Sequence, residues 1–566
     1  MREPHGNLTG LKPSQVKRLE RLYRRRVSPG EVVSLDVARE LAEISLEIRR
    51  QLGILISRIG EIAYVVVGDE RALLIPSLDD YPLGRRLVRG VRLVHTHLKG
   101  ETLSDDDLTD LSLLRLDMIA ALQLTQNADR FSIQTAALVP HRENGPPYQV
   151  EPSVPFNRFD LDFRAFIETL EYSLAKGLEE GTAVSTGQER GILISVTQRS
   201  LEEAQDSMEE LKELARTAGV GVLDTVIQRP KEFNPRYLMG EGKIREVLIK
   251  ALQLGATMLV FDQELSPAQV RSISELSELK VIDRSQLILD IFARRATTQD
   301  GKVQVELAQL KYLLPRLIGR GVQMSRLMGG IGGRGPGETK LEVDRRRIRD
   351  RIAHLERELK ELSSGRYQRR QKRVKAGIPI ISIVGYTNAG KSTLLNSLTK
   401  STVFTENLLF ATLDTSSRRL RFPRDREVII TDTVGFIRSL PKSLLGAFKA
   451  TLEELKDADI LIHLVDCANP RFEEQINEVD AILAELGLAD KQRLLVFNKA
   501  DQLPALKKSD PLAFMKVRQL TRKYGAITVS ANDRKSLEPL MTELQQRFWH
   551  DVADYQAVII DEHFEE

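Results

Sequence analysis

Short apolar runs alternate with stretches of helical period along two parts of the chain, residues 190–303 and 376–550. In the first part, three apolar runs read as strands, at 191–197, 221–226 and 257–261. Two amphipathic stretches between them read as helices, at 201–217 and 242–254. Strands that alternate with helices are typical of a parallel sheet covered by helices. The pattern therefore predicts a multidomain α/β protein with a small parallel α/β domain at 190–303.

A different pattern separates these two parts. Residues 305–327 and 339–362 place apolar side chains three and four positions apart, which indicates two helices, the second with a heptad-like stripe. Residues 328–338 between them contain six glycines and Pro336, so we expect a shaped turn, with a floppy connector as the alternative. Residues 304–375 are therefore predicted to form an antiparallel helical hairpin with a glycine-rich tip.

The first 189 residues divide by composition. Residues 11–28 are basic and predict a helix within 1–30, which either touches RNA or is simply solvated. Residues 31–139 are predicted to form an additional α/β or α+β domain. Five prolines in 140–155 indicate a linker, and a helix at 159–177 completes the segment 140–189.

Composition places these domains in the cytoplasm. The 566 residues include one cysteine, Cys467, which excludes a disulfide framework. No apolar run approaches the length of a membrane span, and the first residues lack a secretory signal. The net charge is only +3, yet residues 311–375 carry 19 Lys and Arg against 7 Asp and Glu. Such a local excess predicts contact with nucleic acid, although solvated basic helices are also common.

Residues 385–393 have the sequence of a phosphate-binding loop. The stretch follows the apolar run 380–384 and precedes a predicted helix, as such loops require. Glycines let backbone amides face an anion, Lys391 would reach the β- and γ-phosphates, and the Ser392 hydroxyl would bind Mg²⁺. The predicted nucleotide-binding residues here are Gly385, Tyr386, Thr387, Asn388, Ala389, Gly390, Lys391, Ser392 and Thr393.

A second motif selects the base. It follows the apolar run 493–497 and comprises Asn498, Lys499, Ala500 and Asp501. The Asp501 carboxylate would accept hydrogen bonds from N1–H and the exocyclic amine of guanine, a donor pair that adenine lacks. Three further residues are expected beside the base, namely Ser530, Ala531 and Asn532. GTP and GDP are therefore the predicted ligands.

Two further stretches are predicted to complete the metal and γ-phosphate contacts. The apolar run 428–432 ends in Asp432, a candidate Mg²⁺ ligand through water. After it come Thr433, Val434 and Gly435, and the Gly435 amide suits the γ-phosphate. In Phe410, Ala411 and Thr412, the threonine hydroxyl is expected to join the metal only with GTP bound. Residues 376–550 are thus predicted to be a GTPase domain of the P-loop, Ras-like type, followed by a tail at 551–566.

One position departs from the pattern of Ras-like proteins. Phe436 stands where those proteins carry a glutamine that positions water, and a phenyl ring cannot do so by hydrogen bonding. We therefore expect slow intrinsic hydrolysis. In GTPases with a similar loop, the residue matching Asn388 can help to hold K⁺ beside the phosphates; a purely loop-stabilising side chain is the alternative here.

These motifs resemble those of the HflX family of translational GTPases. The resemblance rests on the stretches 385–392, 410–414 and 432–436. It extends upstream through 261–267, 281–284, 287–292, 305–310 and the glycine-rich 329–339, and covers about residues 190–550.

The resemblance implies a partner, because HflX-like proteins bind the large ribosomal subunit and some split stalled ribosomes. In relatives the loop matching the glycine-rich tip enters the active-centre region of that subunit. A monomer that contacts ribosomal RNA is therefore expected, through Gly329, Gly330, Gly332, Gly333, Arg334, Gly335, Arg345 and Arg346.

A separate candidate metal site lies in the additional N-terminal domain. His95 and His97 end a predicted strand on one face, and Ser104 and Asp107 follow. The pattern resembles the zinc site of JAB/MPN metalloproteases, but one residue is missing between His97 and Ser104. The predicted ligands are His95, His97 and Asp107, with Glu47 as a possible base; a decayed or structural remnant is the alternative.

Two other functions compete with ribosome binding. The first is an RNA-modification or ribosome-assembly GTPase; RNA-modification GTPases carry a similar glycine loop, usually with an extra catalytic cysteine. A metal-dependent peptidase regulated by the GTPase would need zinc at His95 and His97.

Overall fold

The structure is a computed structural model, and it describes residues 2–78, 80–83, 86–125, 130–140, 145–181, 189–317, 340–375, 377–399, 416–422, 426–433, 435–437 and 453–549. The chain divides into two compact units. One comprises residues 1–198, 221–259 and 272–281; the other comprises 199–220, 260–271 and 282–566. The described residues form sheets of eight, four and six strands.

The eight-stranded sheet belongs to the N-terminal region. Its strands are β1 (His5–Gly6), β2 (Leu52–Ser57), β3 (Ile62–Val67), β4 (Val91–His97), β5 (Met118–Leu124), β6 (Phe131–Leu138), β7 (Tyr148–Val150) and β8 (Val154–Pro155). Their order is β1-β3-β2-β4-β5-β6-β7, with β8 also paired to β6. The sheet is mixed, because β4 and β5 are parallel whereas β2 is antiparallel to both β3 and β4.

Helices supply the rest of this core. They are α1 (Pro13–Leu22), α2 (Leu35–Ile48), α3 (Asp105–Leu114) and α4 (Phe163–Gly181). Every residue of β2, β3, β4 and β5 is buried, which explains why β2, β3 and β5 are nearly continuous apolar runs, whereas β4 also buries polar side chains. The buried Arg92 guanidinium donates to the carbonyls of Val32, Ser57 and Glu31 and lies 4.2 Å from the centre of the Phe163 ring.

Two predictions for this region are wrong in part. The basic helix is not simply solvated: Leu19 and Leu22 of α1 are fully buried, and Arg18 forms ion pairs with Glu43 and Glu47. The proline-rich segment is not only a linker, because β7 and β8 pair with β6. Pro155 is tolerated there because β8 is a two-residue strand that adds to β6 outside the main strand order.

The four-stranded sheet has the predicted α/β pattern. Its strands are β9 (Arg190–Val196), β10 (Gly221–Gln228), β11 (Met258–Phe261) and β12 (Lys280–Asp283), in the order β10-β9-β11-β12. Strands β9 and β10 are parallel, as predicted. The accompanying helices are α5 (Leu201–Thr217), α6 (Glu241–Gln253), α7 (Pro267–Leu276) and α8 (Arg284–Arg295).

Two helices follow where the hairpin is predicted, α9 (Gln299–Leu313) and α10 (Lys340–Lys375). Helix α9 ends at Leu313 and is followed by a 3₁₀ turn, Leu314–Leu317, which contains Pro315, a residue that disrupts an α-helix. The two helices share a small core formed by Val303, Leu307 and Leu355, with Leu310, Ile352, Leu359 and Leu362 packed against it. The predicted apolar stripe of α10 is therefore used. Residues 318–339, with the glycine-rich tip, lie outside the described residues.

The six-stranded sheet carries the predicted nucleotide motifs. Its strands are β13 (Ile380–Gly385), β14 (Ser416–Phe422), β15 (Arg426–Asp432), β16 (Ile460–Asp466), β17 (Arg493–Asn498) and β18 (Ile527–Thr528). Their order is β14-β15-β13-β16-β17-β18, and all pairings are parallel except β14 with β15. The helices are α11 (Lys391–Thr399), α12 (Phe472–Glu485), α13 (Leu503–Ser509), α14 (Pro511–Tyr524) and α15 (Glu538–Trp549).

In the described part of the chain, no helix is both long and apolar enough to cross a membrane.

Candidate functional site

Three loops meet at the carboxyl edge of the six-stranded sheet. Strands β13, β15 and β17 are parallel neighbours or near neighbours and end at Gly385, Asp432 and Asn498. In open α/β sheets, ligands bind where strands of this kind end. The sheet topology thus brings together motifs that are far apart in sequence.

The glycine loop after β13 requires two of its glycines. Gly385 and Gly390 have φ angles of +153° and +92°, which side chains rarely permit. A Cβ atom at Gly385 would clash with the Leu464 carbonyl oxygen, and one at Gly390 would clash with the Asn498 amide. Asn388 is exposed at the top of the loop with φ of +61°. Its exposure fits either predicted role, loop geometry or a cation contact.

Lys391 lies inside this loop and not on the surface. Its Nζ donates to the Tyr386 carbonyl at 2.9 Å, so the side chain closes the loop on itself. Burial lowers the pKa of Lys391 to about 8, and the nearby charge of Asp432 opposes that shift. A phosphate ligand would supply the negative charge that this buried amine lacks.

Two of the three predicted metal ligands are adjacent. The Ser392 hydroxyl donates to Oδ2 of Asp432 at 2.7 Å, and Asp432 is fully buried at the end of β15. A hydroxyl beside a carboxylate is an all-oxygen donor set, which fits Mg²⁺. Thr412, the third predicted ligand, lies outside the described residues, as do Phe410, Ala411 and Val434.

Asn498 connects the glycine loop to the base-binding loops. Its amide nitrogen donates to the Ala389 carbonyl at 2.8 Å, and its carbonyl oxygen accepts from the Ala531 backbone N–H at 2.8 Å. The buried Asn498 side chain therefore holds the glycine loop and the loop at Ala531 together. Lys499, in the left-handed conformation, pairs with Asp466 at 2.7 Å.

Asp501 is positioned by a hydroxyl. Its Oδ1 accepts from Ser530 Oγ at 2.6 Å, and the residue is exposed at the edge of the site. The Ala500 backbone N–H donates to the Val529 carbonyl at 3.1 Å, which fixes the motif against the loop that follows β18. Asn532 is exposed next to Ala531. The predicted guanine-selective residues are thus assembled.

Phe436 has a role that its sequence position does not indicate. Its backbone N–H donates to the Gly385 carbonyl at 3.1 Å, and its carbonyl accepts from the Thr387 N–H at 2.7 Å. The ring is buried, with 2% of its surface exposed. Phe436 therefore anchors the segment after Asp432 to the glycine loop. A Cβ at Gly435 would contact Thr387 and Lys391 closely, so this anchor is tight.

A second contact of the glycine loop has no sequence signal. The Tyr386 hydroxyl donates to Oε1 of Glu210 on α5 at 3.0 Å. Glu210 in turn pairs with the buried Arg284 at 2.8 Å, and Arg284 pairs with Asp262 at 2.6 Å. Burial raises the pKa of Tyr386, so its hydroxyl remains a donor. Since 176 residues separate Tyr386 from Glu210, no local pattern predicts their contact.

Other predicted site residues lie elsewhere. Arg346 is exposed and Arg345 half-buried on α10, whereas Gly329, Gly330, Gly332, Gly333, Arg334 and Gly335 are outside the described residues. His95, His97 and Asp107 converge in the N-terminal region. Glu47 does not join them, so its prediction as a base is wrong: its helix α2 packs on the opposite face of β4 through the bond between Ser45 and Thr96, and its carboxylate accepts from Gln15 and Arg18.

Three family models match consecutive parts of the chain. They are described as GTP-binding GTPase N-terminal, over residues 205–293, GTP-binding GTPase Middle Region, over 295–373, and 50S ribosome-binding GTPase, over 380–499.

Curated relatives carry the name GTPase HflX. The one from Caldanaerobacter subterraneus is 48% identical over 60% of this chain and 79% of its own length. The chain belongs to the HflX GTPase family. The HflX proteins of Lacrimispora saccharolytica and Escherichia coli are 51% and 41% identical, over 56% and 65% of this chain and 75% and 84% of their own lengths.

Among solved structures, the GDP complex of a Sulfolobus solfataricus GTP-binding protein is 26% identical, with a TM-score of 0.35. It covers 63% of this chain and 99% of that chain. Family membership makes this protein a GTP-binding GTPase of the P-loop class, as predicted.

Proposed function

We propose that this HflX GTPase binds the large ribosomal subunit in its GTP state and dissociates stalled ribosomes or recycles their subunits. One observation carries the proposal: residues 380–499, the nucleotide site itself, match the family model described as 50S ribosome-binding GTPase. Mg²⁺ at Ser392 and Asp432 is its proposed cofactor, and ribosomal RNA its proposed contact.

The charge of α10 supports an RNA partner. Residues 340–375 contain 14 Lys and Arg against 6 Asp and Glu, and Arg346, Arg347 and Arg349 are exposed. Binding to RNA phosphates through such residues releases counterions and weakens with salt. We propose that α10 supplies this affinity and that the glycine-rich tip contacts the ribosome through its shape.

Within the nucleotide site, different residues contact the phosphates, the metal and the base. Lys391 and the amides of the glycine loop bind the phosphates, Ser392 and Asp432 hold the metal, and Asp501 selects guanine. No glutamine follows Gly435, and the Phe436 ring is buried, so a group from the ribosome or a K⁺ ion beside Asn388 completes the catalytic site. We propose that hydrolysis is therefore slow until the large subunit binds.

The RNA-modification alternative is weaker because of Cys467. Its thiol donates to the Asn498 carbonyl, it is 1% exposed, and burial raises its pKa to about 12. A catalytic cysteine needs an accessible thiolate. Cys467 therefore packs beneath the nucleotide site.

Co-sedimentation with isolated large subunits tests the proposal. The chain is expected to pellet with the subunit in the presence of a non-hydrolysable GTP analogue, less with GDP and least without nucleotide. The matched variant Lys391→Ala is expected to lose this nucleotide dependence. Equal sedimentation in all three states would refute the proposal.

A further inference from the structure

The N-terminal region contains a cluster of three ligating side chains far in sequence from the nucleotide motifs. His95 and His97 lie two residues apart on β4 and therefore share one face of the sheet. Their Nε2 atoms are 2.9 Å apart. Asp107, in the first turn of α3, places Oδ1 3.2 Å from His95 Nε2 and Oδ2 3.4 Å from His97 Nε2.

Hydrogen bonds within the protein do not satisfy every polar atom of this cluster, because the buried His95 Nδ1 has no partner. A neutral imidazole has one N–H, and His97 Nδ1 lies 3.0 Å from the Glu101 carbonyl, which can only accept. The proton of a neutral His97 is therefore on Nδ1. Its Nε2 lone pair can accept from His95 Nε2–H, but it also faces Asp107 Oδ2 at 3.4 Å, where both atoms are acceptors and a cation would bridge them. A backbone carbonyl that orients the far nitrogen in this way is the usual companion of a metal-binding histidine.

Asp107 is also held in a fixed orientation. Its Oδ2 accepts from both the backbone N–H and the hydroxyl of Ser104, at 2.8 and 2.7 Å. Ser104 is the residue before α3, and its own hydroxyl accepts from the Asp107 N–H. Because this reciprocal cap fixes the carboxylate, the cluster is preorganised before any ion arrives.

The distances match those of a small tetrahedral ion. Ligand atoms about 2.0–2.1 Å from Zn²⁺ lie roughly 3.3–3.4 Å from one another at tetrahedral angles. The two nitrogen–oxygen distances, 3.2 Å to Oδ1 and 3.4 Å to Oδ2, are close to this value, so either oxygen of Asp107 can serve as the ligand. The two nitrogens, at 2.9 Å, need to separate by only about 0.4 Å, which a small rotation of each ring provides.

The donor atoms decide the class of ion. Mg²⁺ and Ca²⁺ prefer oxygen ligands alone, and Cu⁺ prefers sulfur. Two imidazole nitrogens and one carboxylate are typical of Zn²⁺. We propose that His95, His97 and Asp107 bind one Zn²⁺ ion, which joins the start of α3 to β4.

The surroundings assign this ion a structural role. Hydrolysis at zinc requires a base beside the metal-bound water. Among the described residues, the cluster of ligating side chains contains only these three. Glu47, the predicted base, lies on α2, which bonds Thr96 through Ser45 at 2.7 Å and so packs on the face of β4 opposite His95 and His97. The ion therefore stabilises the N-terminal domain by joining α3 to β4.

Metal analysis of the full-length protein without a histidine tag tests this proposal. After exposure to ZnCl₂ and exhaustive dialysis, we expect about one zinc per chain by mass spectrometry and a higher thermal midpoint than after chelation. The double variant His95→Ala/His97→Ala is expected to lose the zinc. His354→Ala, which removes an exposed imidazole from α10, is the matched control and should retain it.

A second variant distinguishes loss of the zinc site from loss of folding. Asp107→Asn keeps the volume and the acceptor for Ser104 but removes the charge, so it should fold, as judged by circular dichroism, and bind zinc at least about 10-fold more weakly. Cobalt in place of zinc should give the visible absorption of a four-coordinate ion in the parent chain alone. A metal-free parent chain, or full zinc retention by the double variant, would overturn the proposal. GTP binding should be the same in all these variants, so this result is independent of the proposed ribosomal function.

Discussion

A single amide, the side chain of Asn498, joins three parts of the nucleotide site. It bonds the carbonyl of Ala389 in the glycine loop and the N–H of Ala531 beside the base. Its amide nitrogen also fills the space that a side chain at Gly390 would need. At the scale of residues, the motif positions were predictable because each follows an apolar strand, but this connecting bond was not.

The nucleotide specificity depends on Asp501. Asp501→Asn should weaken GTP binding at least about 100-fold, because the pocket loses its acceptor for the guanine donor pair. Xanthine nucleotides should gain affinity, since the amide complements their altered edge. Titration with fluorescent GTP and XTP analogues measures both. Asp533→Asn, a nearby carboxylate that caps a 3₁₀ turn, is the control and should change neither.

Phe436 should not be replaceable by the glutamine of Ras-like proteins. Phe436→Gln would bury an amide where a ring now packs, at a cost of roughly 2–4 kcal/mol in the free energy of unfolding. Hydrolysis should not rise, because the side chain at this position faces the core. Thermal unfolding and single-turnover GTPase assays test the two effects, with Phe436→Leu as the milder control. A stable, faster Phe436→Gln enzyme would show that the ring is not an anchor.

Among helices and strands, the spacing of apolar residues predicted packing more reliably than the charge of a segment did. The apolar stripe of α10 meets α9 through Leu355 and its neighbours, as its spacing indicates. The basic residues of α1 were misleading, because Arg18 and Arg25 find acidic partners on α2 that are remote in sequence. Strands β7 and β8 were missed because edge strands tolerate the prolines that usually end a strand.

Changes in the glycine-rich tip and in the basic residues of α10 should have different effects on the interaction with ribosomes. Deleting residues 329–337 should leave GTP affinity unchanged and abolish the dissociation of ribosomes, because the proposed contact of the tip with the subunit depends on its shape. Arg346→Glu/Arg347→Glu should instead weaken subunit binding in every nucleotide state and reduce its salt dependence. Sedimentation at several salt concentrations separates the two. Lys507→Glu/Lys508→Glu on α13 makes the same change of charge and should bind normally. Full ribosome splitting by the loop deletion would exclude the tip as a contact.

At the scale of the whole molecule, the family relationship covers about two-thirds of the chain, and the eight-stranded sheet lies outside the matched regions. Its strand pairing could not be predicted from sequence, because β2 and β3 are nearly uniformly apolar and carry no register signal. The GTPase sheet was predictable because its motifs mark the ends of its strands.

The GTPase rate of the whole protein should depend on the large ribosomal subunit and on the monovalent cation in the buffer. The large subunit should raise the GTPase rate strongly, since the described site has no group that positions water at Phe436. Replacing K⁺ by Na⁺ should lower the rate only if Asn388 helps to hold the cation. Phosphate release measured with and without subunits, in each salt, tests both. A rate that does not respond to the subunit would exclude ribosomal activation, and Asn388→Ala reports on the cation independently.

The hydrogen bond from Tyr386 to Glu210 has a thermodynamic consequence. It joins the loop that binds the phosphates to α5, and the buried Arg284 ties that helix to Asp262 at the end of β11. Suppose that nucleotide binding alters this bond and that a partner binds by displacing α5. The factor by which the nucleotide changes the affinity for the partner must then equal the factor by which the partner changes the affinity for the nucleotide, because linkage between two binding events is reciprocal. Tyr386→Phe would reduce both effects together, and paired titrations of nucleotide and partner would show whether the two losses are equal.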